Sequence, residues 1–133
     1  MDQAHKAVVA FLDGRRFKGY IYNFSALKSS FTLFPKDDAP GQVGTDVDIS
    51  KLKAVFFVHD FVGNSEYQEA PTTERPRHGR NIEVIFRDGE KLLGRTEAYN
   101  PQKQGFFVFP ADPKSNNIRI FVVSKNALQI QFV

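Results

Sequence analysis

The segment FTLFPKD, Phe31 to Asp37, returns in the second half of the chain as FFVFPAD, Phe106 to Asp112. Phe31/Phe106, Phe34/Phe109, Pro35/Pro110 and Asp37/Asp112 are identical, and the same shift matches Phe11 with Phe86, Asp13 with Asp88, Gly14 with Gly89 and Gly19 with Gly94. No gap is needed between Phe11 and Asp37, a stretch over which unrelated chains of average composition would agree at roughly two positions. Phe17/Leu92, Phe24/Tyr99 and Leu33/Val108 keep their apolar or aromatic character, and further on Val55, Phe57 and Val58 meet Ile130, Phe132 and Val133. The chain reads as a tandem duplication, so any fold assigned to one half has to serve the other as well.

Each half carries β patterning. AVVAFLDGRRFKGYIYNF is two extended runs about Asp13-Gly14, a dipeptide that suits the positive φ of hairpin turns. SSFTLFP is a third strand, ended by a proline that cannot donate to a ladder. TDVDIS alternates polar and apolar residues as a fourth strand, KAVFFV is a fifth, and ISKLKAV has room for one short helical turn. The second half repeats the scheme in NIEVIFRDGEKLLGRTEAY, GFFVFP, IRIFVVS and LQIQFV. No segment holds a helical apolar period over three turns. Five short strands in so few residues predict a small, bent barrel, since an open sheet of that size leaves unpaired edges. The expectation is an all-β protein of two tandem five-stranded barrels packed together: residues 1–58, a linker over 59–81, and residues 82–133.

The linker is rich in Gly, Pro, Asn and Thr. Phe61 and Tyr67 are too apolar for a free tether and are expected to dock on a barrel. The chain has 14 phenylalanines, and neighbouring side chains of a strand face opposite sides. Phe56-Phe57 and Phe106-Phe107 therefore cannot both enter one small core. One of each pair belongs at the seam between halves or against another chain.

Composition excludes several functional classes. With no cysteine there are no disulfides, cysteine zinc sites or thiol nucleophiles. No apolar run approaches the roughly 20 residues of a membrane helix, and MDQAHKAVV lacks the pattern of a signal peptide. A cytoplasmic protein without membrane insertion is expected. The net charge of +3 is mild, short of a dedicated nucleic-acid binder. His5, His59 and His78 have no neighbours at metal-ligand spacing. Asp13 and Asp88 are accounted for by their turns, as are Asp37 and Asp112 after a proline. No phosphate loop or nucleophile elbow is present, so neither catalysis nor a cofactor is expected.

Three resemblances follow from these residues. VVAFLDGRRFKGYIYNF, with Asp13, Gly14, Gly19, Ile21 and Phe24, and again Asp88, Gly89, Gly94, Thr96 and Tyr99, resembles the first motif of Sm-like proteins. That resemblance implies a small SH3-like barrel and, through the family's RNA chaperones, RNA as a partner. RPRHGRNIEVIF with GRTEAYNPQKQGFFVF is similar to a PilZ domain, which implies a cyclic di-GMP site. On that likeness Arg75, Arg77 and Arg80 would clamp the nucleotide beside Asn100 and Gln102, with Gln102 standing where the family has serine. HDFVGN, GFFVFPADPKSNN and RIFVV together resemble an uncharacterised bacterial domain family along nearly the whole chain. The leading expectation is a non-catalytic interaction or regulatory module of a bacterial protein, binding a protein partner or forming a homo-oligomer. The alternative is cyclic di-GMP or RNA binding.

Overall fold

In the computed structural model, which describes residues 4–36, 41–62, 79–112 and 114–133, the strands follow the hydrophobic pattern. They are β1 (His5–Phe11), β2 (Arg16–Ile21), β3 (Ser30–Leu33), β4 (Thr45–Asp48), β5 (Leu52–Val58), β6 (Arg80–Phe86), β7 (Lys91–Thr96), β8 (Gly105–Pro110), β9 (Asn117–Val123) and β10 (Ala127–Phe132). Short 3₁₀ turns at Ile49–Lys51 and Ser124–Asn126 precede β5 and β10. The shift that carries Phe31 to Phe106 also carries β1 onto β6, β2 onto β7 and the first 3₁₀ turn onto the second, with both bounds of each in step. β6 starts at Arg80, inside the expected linker, because Arg80 and Asn81 pair with Thr96 and Arg95 of β7.

Both Asp-Gly dipeptides build the same turn. Gly14 and Gly89 have φ of 94° and 91°, where a Cβ is strained. Their N–H groups donate to Phe11 O and Phe86 O at 3.1 and 2.9 Å, and the Asp13 and Asp88 carboxylates accept from the N–H of Arg15 and Glu90 at 3.0 Å each. Phe11 N and Phe86 N close the loop on Arg15 O and Glu90 O, giving a three-residue loop with a left-handed glycine instead of a two-residue turn. Gly19 and Gly94 serve another end. A Cβ on Gly19 would stand 2.6 Å from Phe34 O, and one on Gly94 would collide with Phe109 O, because the third strand of each half crosses there.

The sheet joins the two halves. Eight strands form one sheet in the order β10-β6-β7-β8-β9-β5-β1-β2, and β3-β4 form a second ladder. Tyr20 and Phe34 bridge β2 to the segment after β3, each N–H donating to the other's carbonyl at 2.8 and 2.9 Å. The protein is all-β with a large antiparallel sheet. Among the described residues the ladders run through both halves and close neither into a separate barrel. The crossing point is β5 against β9, pairing Ala54–Val122, Val55–Phe121, Phe56–Ile120 and Phe57–Arg119.

Apolar side chains gather on the two faces of this junction. One cluster holds Ala7, Val9, Ile21, Phe31, Leu33, Val47, Leu52, Val55 and Phe57, with Phe121 and Val123 from the second half. The other holds Ile82, Val84, Phe86, Phe106, Val108, Ile120 and Val122, with Ala54, Phe56 and Val58 from the first. The alternation expected for the phenylalanine doublets is met at the seam: Phe57 and Phe56 lie in different clusters, and Phe107 packs with the first half's core while Phe106 lies in the second's. Phe61 docks edge-on to Tyr20 at 5.4 Å, and its carbonyl accepts from Lys18 Nζ at 3.0 Å. Tyr67 lies outside the described residues.

Because each core contains residues of the other half, neither half holds a complete core alone. Phe121→Ala, at a fully buried position, is expected to cost about 3–5 kcal/mol. Urea denaturation should show one shared transition, by tyrosine fluorescence and circular dichroism alike. Two separated transitions would contradict the shared core.

Candidate functional site

Of the residues singled out for a nucleotide, Arg80, Asn100 and Gln102 lie among the described residues, at one end of the second half. Arg80, the first residue of β6, is exposed and holds its guanidinium 3.7 Å from the centroid of Phe132. Phe132 meets the edge of Tyr99 at 5.7 Å, and Tyr99 meets Phe106 at 4.9 Å. Asn100 follows Tyr99, and its Oδ1 accepts from Gln102 N at 2.9 Å, so this side chain shapes its own loop. Arg75 and Arg77 lie outside the described residues, so their convergence with Arg80 is not part of this geometry. Arg80 is engaged in a cation–π stack on the last strand.

Side chains that sequence patterning did not single out tie the halves together. Asn126 Nδ2 donates to Ser50 O and Leu52 O at 2.9 and 2.8 Å, joining the two 3₁₀ turns. Gln104 Nε2 donates to Ala26 O and Lys28 O at 2.7 and 2.6 Å, joining the loops after β2 and β7. Asn116 exchanges bonds with the backbone of Asp60 at 2.8 and 3.1 Å. Arg119 spans the seam with its guanidinium over Phe57 and Phe107, at 4.8 and 4.4 Å, and burial pulls it below the ordinary arginine pKa. The available signal was that these residues depart from the constant-offset match: the positions they meet in the first half are, in the order Asn126, Gln104, Asn116 and Arg119, Lys51, Ser29, Gly41 and Gly44.

These bonds also gather positive charge. Ser124 N donates to Gln104 O at 3.0 Å, so the second 3₁₀ turn abuts the β7–β8 loop while Asn126 holds it to the first turn. Lys28, Lys51, Lys103 and Lys125 all sit on these loops and turns, and all are exposed. Lys28 and Lys103 are themselves a matched pair. Asp48 lies among them: its carboxyl is held below the usual range first by hydrogen bonds from Ser50 Oγ and N, then by the charges of Lys51 and Lys125.

One buried charge has a structural task. Lys53 of β5 is 6% exposed, and its ammonium donates to Asp88 Oδ2 and Glu90 Oε1 at 2.7 and 2.6 Å, above the Phe86 ring. It pins the first half's last strand to the second half's first hairpin. The Asp88 carboxyl is lowered chiefly by Lys53, then by the Glu90 N–H, with burial opposing. A carboxyl with a depressed folded pKa adds stability above its unfolded value, near 3.9, and loses it as pH falls through the folded value. Asp88→Asn should therefore destabilise the protein at pH 7 by about 1 kcal/mol or less, given solvent screening. The gap between variant and parent should narrow below about pH 4, as followed by denaturation at each pH.

Among the described residues no helix is long and apolar enough to cross a membrane. Comparison with curated proteins and with solved structures returns no match to either. Residues 3–133 match the model of a family described as a family of unknown function, DUF6982, and with nearly the whole length covered the chain belongs to that family.

Proposed function

We propose that the chain is a non-catalytic interaction module, built as two copies of one five-stranded, barrel-like unit, that joins polypeptides at the open edges of its sheet. The recurrence of strand and turn bounds at one constant offset supports the duplicated unit. The observation that carries the function is the state of the edges. Among the described residues β4 pairs only with β3 and β10 only with β6, so each offers a row of unpaired N–H and C=O groups. Such a row is a template for an added strand, with affinity from the main chain and selection from alternate side chains. β10 also exposes Leu128, and Val133 beyond it, each at 67%.

Sedimentation velocity from about 10 µM to about 1 mM tests this, the upper limit corresponding to a contact of only about 4 kcal/mol. The expected result is concentration-dependent association, with slower amide exchange confined to β4 and β10 at high concentration. A monomer throughout, with edge amides exchanging at the same rate at every concentration, overturns association at these edges.

A second reading rests on the four lysines. Lys28, Lys51, Lys103 and Lys125 are exposed on loops and turns joined by the bonds of Gln104 and Asn126, a grouping of charge suited to a single-stranded polyanion such as RNA. Neutralising three or four phosphates predicts a log–log slope of affinity against salt of roughly −2 to −3 for a single strand. Fluorescence anisotropy with a short single-stranded RNA measures it. Lys28→Glu with Lys103→Glu should abolish that binding, whereas affinity indifferent to salt or to these changes removes the reading. Cyclic di-GMP belongs in the same titration; its binding would have to be lost on Arg80→Ala to support the nucleotide alternative.

A further inference from the structure

The inner junction of the sheet is a template for its two outer edges. β5, the last strand of the first half, pairs antiparallel with β9, the fourth strand of the second. Under the shift that relates the two halves, β5 corresponds to β10, and the final part of β9, Ile120–Val123, corresponds to β4. Those are the two strands left without an outer partner among the described residues. The chain therefore carries both members of a strand pair it has already formed once, one at each end of the hydrogen-bonded series.

We propose that β4 of one chain pairs antiparallel with β10 of a second copy, in the register of the inner junction. Transferred by the offset, the inner pairs Ala54–Val122, Val55–Phe121, Phe56–Ile120 and Phe57–Arg119 become Gln129–Val47, Ile130–Asp46, Gln131–Thr45 and Phe132–Gly44. The inference rests on the reading of the open edges as association sites and adds the occupant, the direction and the register. The contact is head-to-tail: one copy's β4 meets the next copy's β10, so a row of copies continues until it closes or stops.

The side chains at the edges fit this register. At the inner junction Arg119 from the second half covers Phe57. At the outer one Gly44 takes Arg119's place opposite Phe132, and Arg80 of Phe132's own chain already covers that ring at 3.7 Å. Gly44, with no side chain, leaves Arg80 where it is. Asp46 falls opposite Ile130, two residues before Phe132 and so clear of the stack of Arg80 on that ring. Lys51 takes the place of Asn126, which puts it beside Lys125 and Ala127, the counterparts of Ser50 and Leu52, where Arg87 already donates to the Lys125 carbonyl at 3.2 Å.

The outer contact is more polar than the inner one. Thr32, Asp46 and Asp48 replace Phe107, Phe121 and Val123, and Gln129 and Gln131 replace Ala54 and Phe56. Thr32 Oγ1 already donates to Asp46 Oδ1 at 3.0 Å. A junction of this composition is stable in water when open, so association is reversible, unlike the seam within the chain.

The absence of native cysteine makes the register directly readable. Thr45→Cys and Gln131→Cys change exposed positions, and as opposite residues in the proposed pairing their Cα atoms fall within disulfide reach, about 4.4–6.8 Å. Equal amounts of the two single variants, oxidised together, should form the mixed disulfide. Each variant alone should stay uncrosslinked. Thr45→Cys mixed with Gln129→Cys, a diagonal pair about 7–8 Å apart, should react at least about tenfold more slowly. If the parent associates in sedimentation but Thr45→Cys crosslinks to itself, or Gln129→Cys reacts as fast as Gln131→Cys, the head-to-tail register is wrong while association stands. If the parent is monomeric and no pair crosslinks, both fall.

Discussion

The pairing of β5 with β9 is the contact on which the rest of the structure depends. Every residue of β5 is buried, so this strand is a centre strand on both faces although it ends the first half. Ala54, Phe56 and Val58 enter the second core, and Leu52, Val55 and Phe57 enter the first. β9 reciprocates with Ile120 and Val122 on one side and Phe121 and Val123 on the other. A unit of about 50 residues buries too little surface to be secure alone. The shared strand pair gives each half a wall made of the other.

Polar groups fix how that wall is placed. Hydrophobic burial is not directional, and β5 could slip against β9 by two residues and keep its alternation of faces. Asn126, Gln104 and Asn116 donate to specific carbonyls across the seam, and a slip would strand them. Lys53 acts with higher stakes, because a buried ammonium that loses Asp88 and Glu90 is left uncompensated. Register is thus held by a few amides and one buried charge, while the phenylalanines supply the area. The two halves differ at these positions, and the difference sets the inner junction of β5 and β9 apart from the edges that β4 and β10 form among the described residues.

Much of the architecture was legible in the sequence. The constant offset between matched residues, the Asp-Gly turns and the strand alternation are local properties, carried by residues whose backbone or period constrains them wherever they stand, whereas the crossing at Gly19 and Gly94 shows only in the packing of a third strand on each. The phenylalanine doublets went further, since alternation alone requires that Phe56 and Phe57 not share one core, and the structure places the second of the two faces at the seam. The linker was read less well, because Arg80 and Asn81 lack apolar character and join β6 only through its ladder with β7. The candidate site was legible only in part. Arg80, Asn100 and the aromatic residues beside them share one end, but the stack of Arg80 on Phe132 depends on the first and last strands of the second half lying side by side.

The sequence by itself determined that the chain is all-β, that matched residues recur at one constant offset, and that its hairpins have glycine-ended turns. These follow from φ preferences and a period of two, which act within a few residues of the chain. Only the tertiary structure decided that the halves share one sheet, that β5 meets β9, and that among the described residues β4 and β10 are left at the edges. Strand order depends on which apolar faces seal each other and which polar groups find partners across the seam. Those are comparisons between distant segments, and no local pattern contains them.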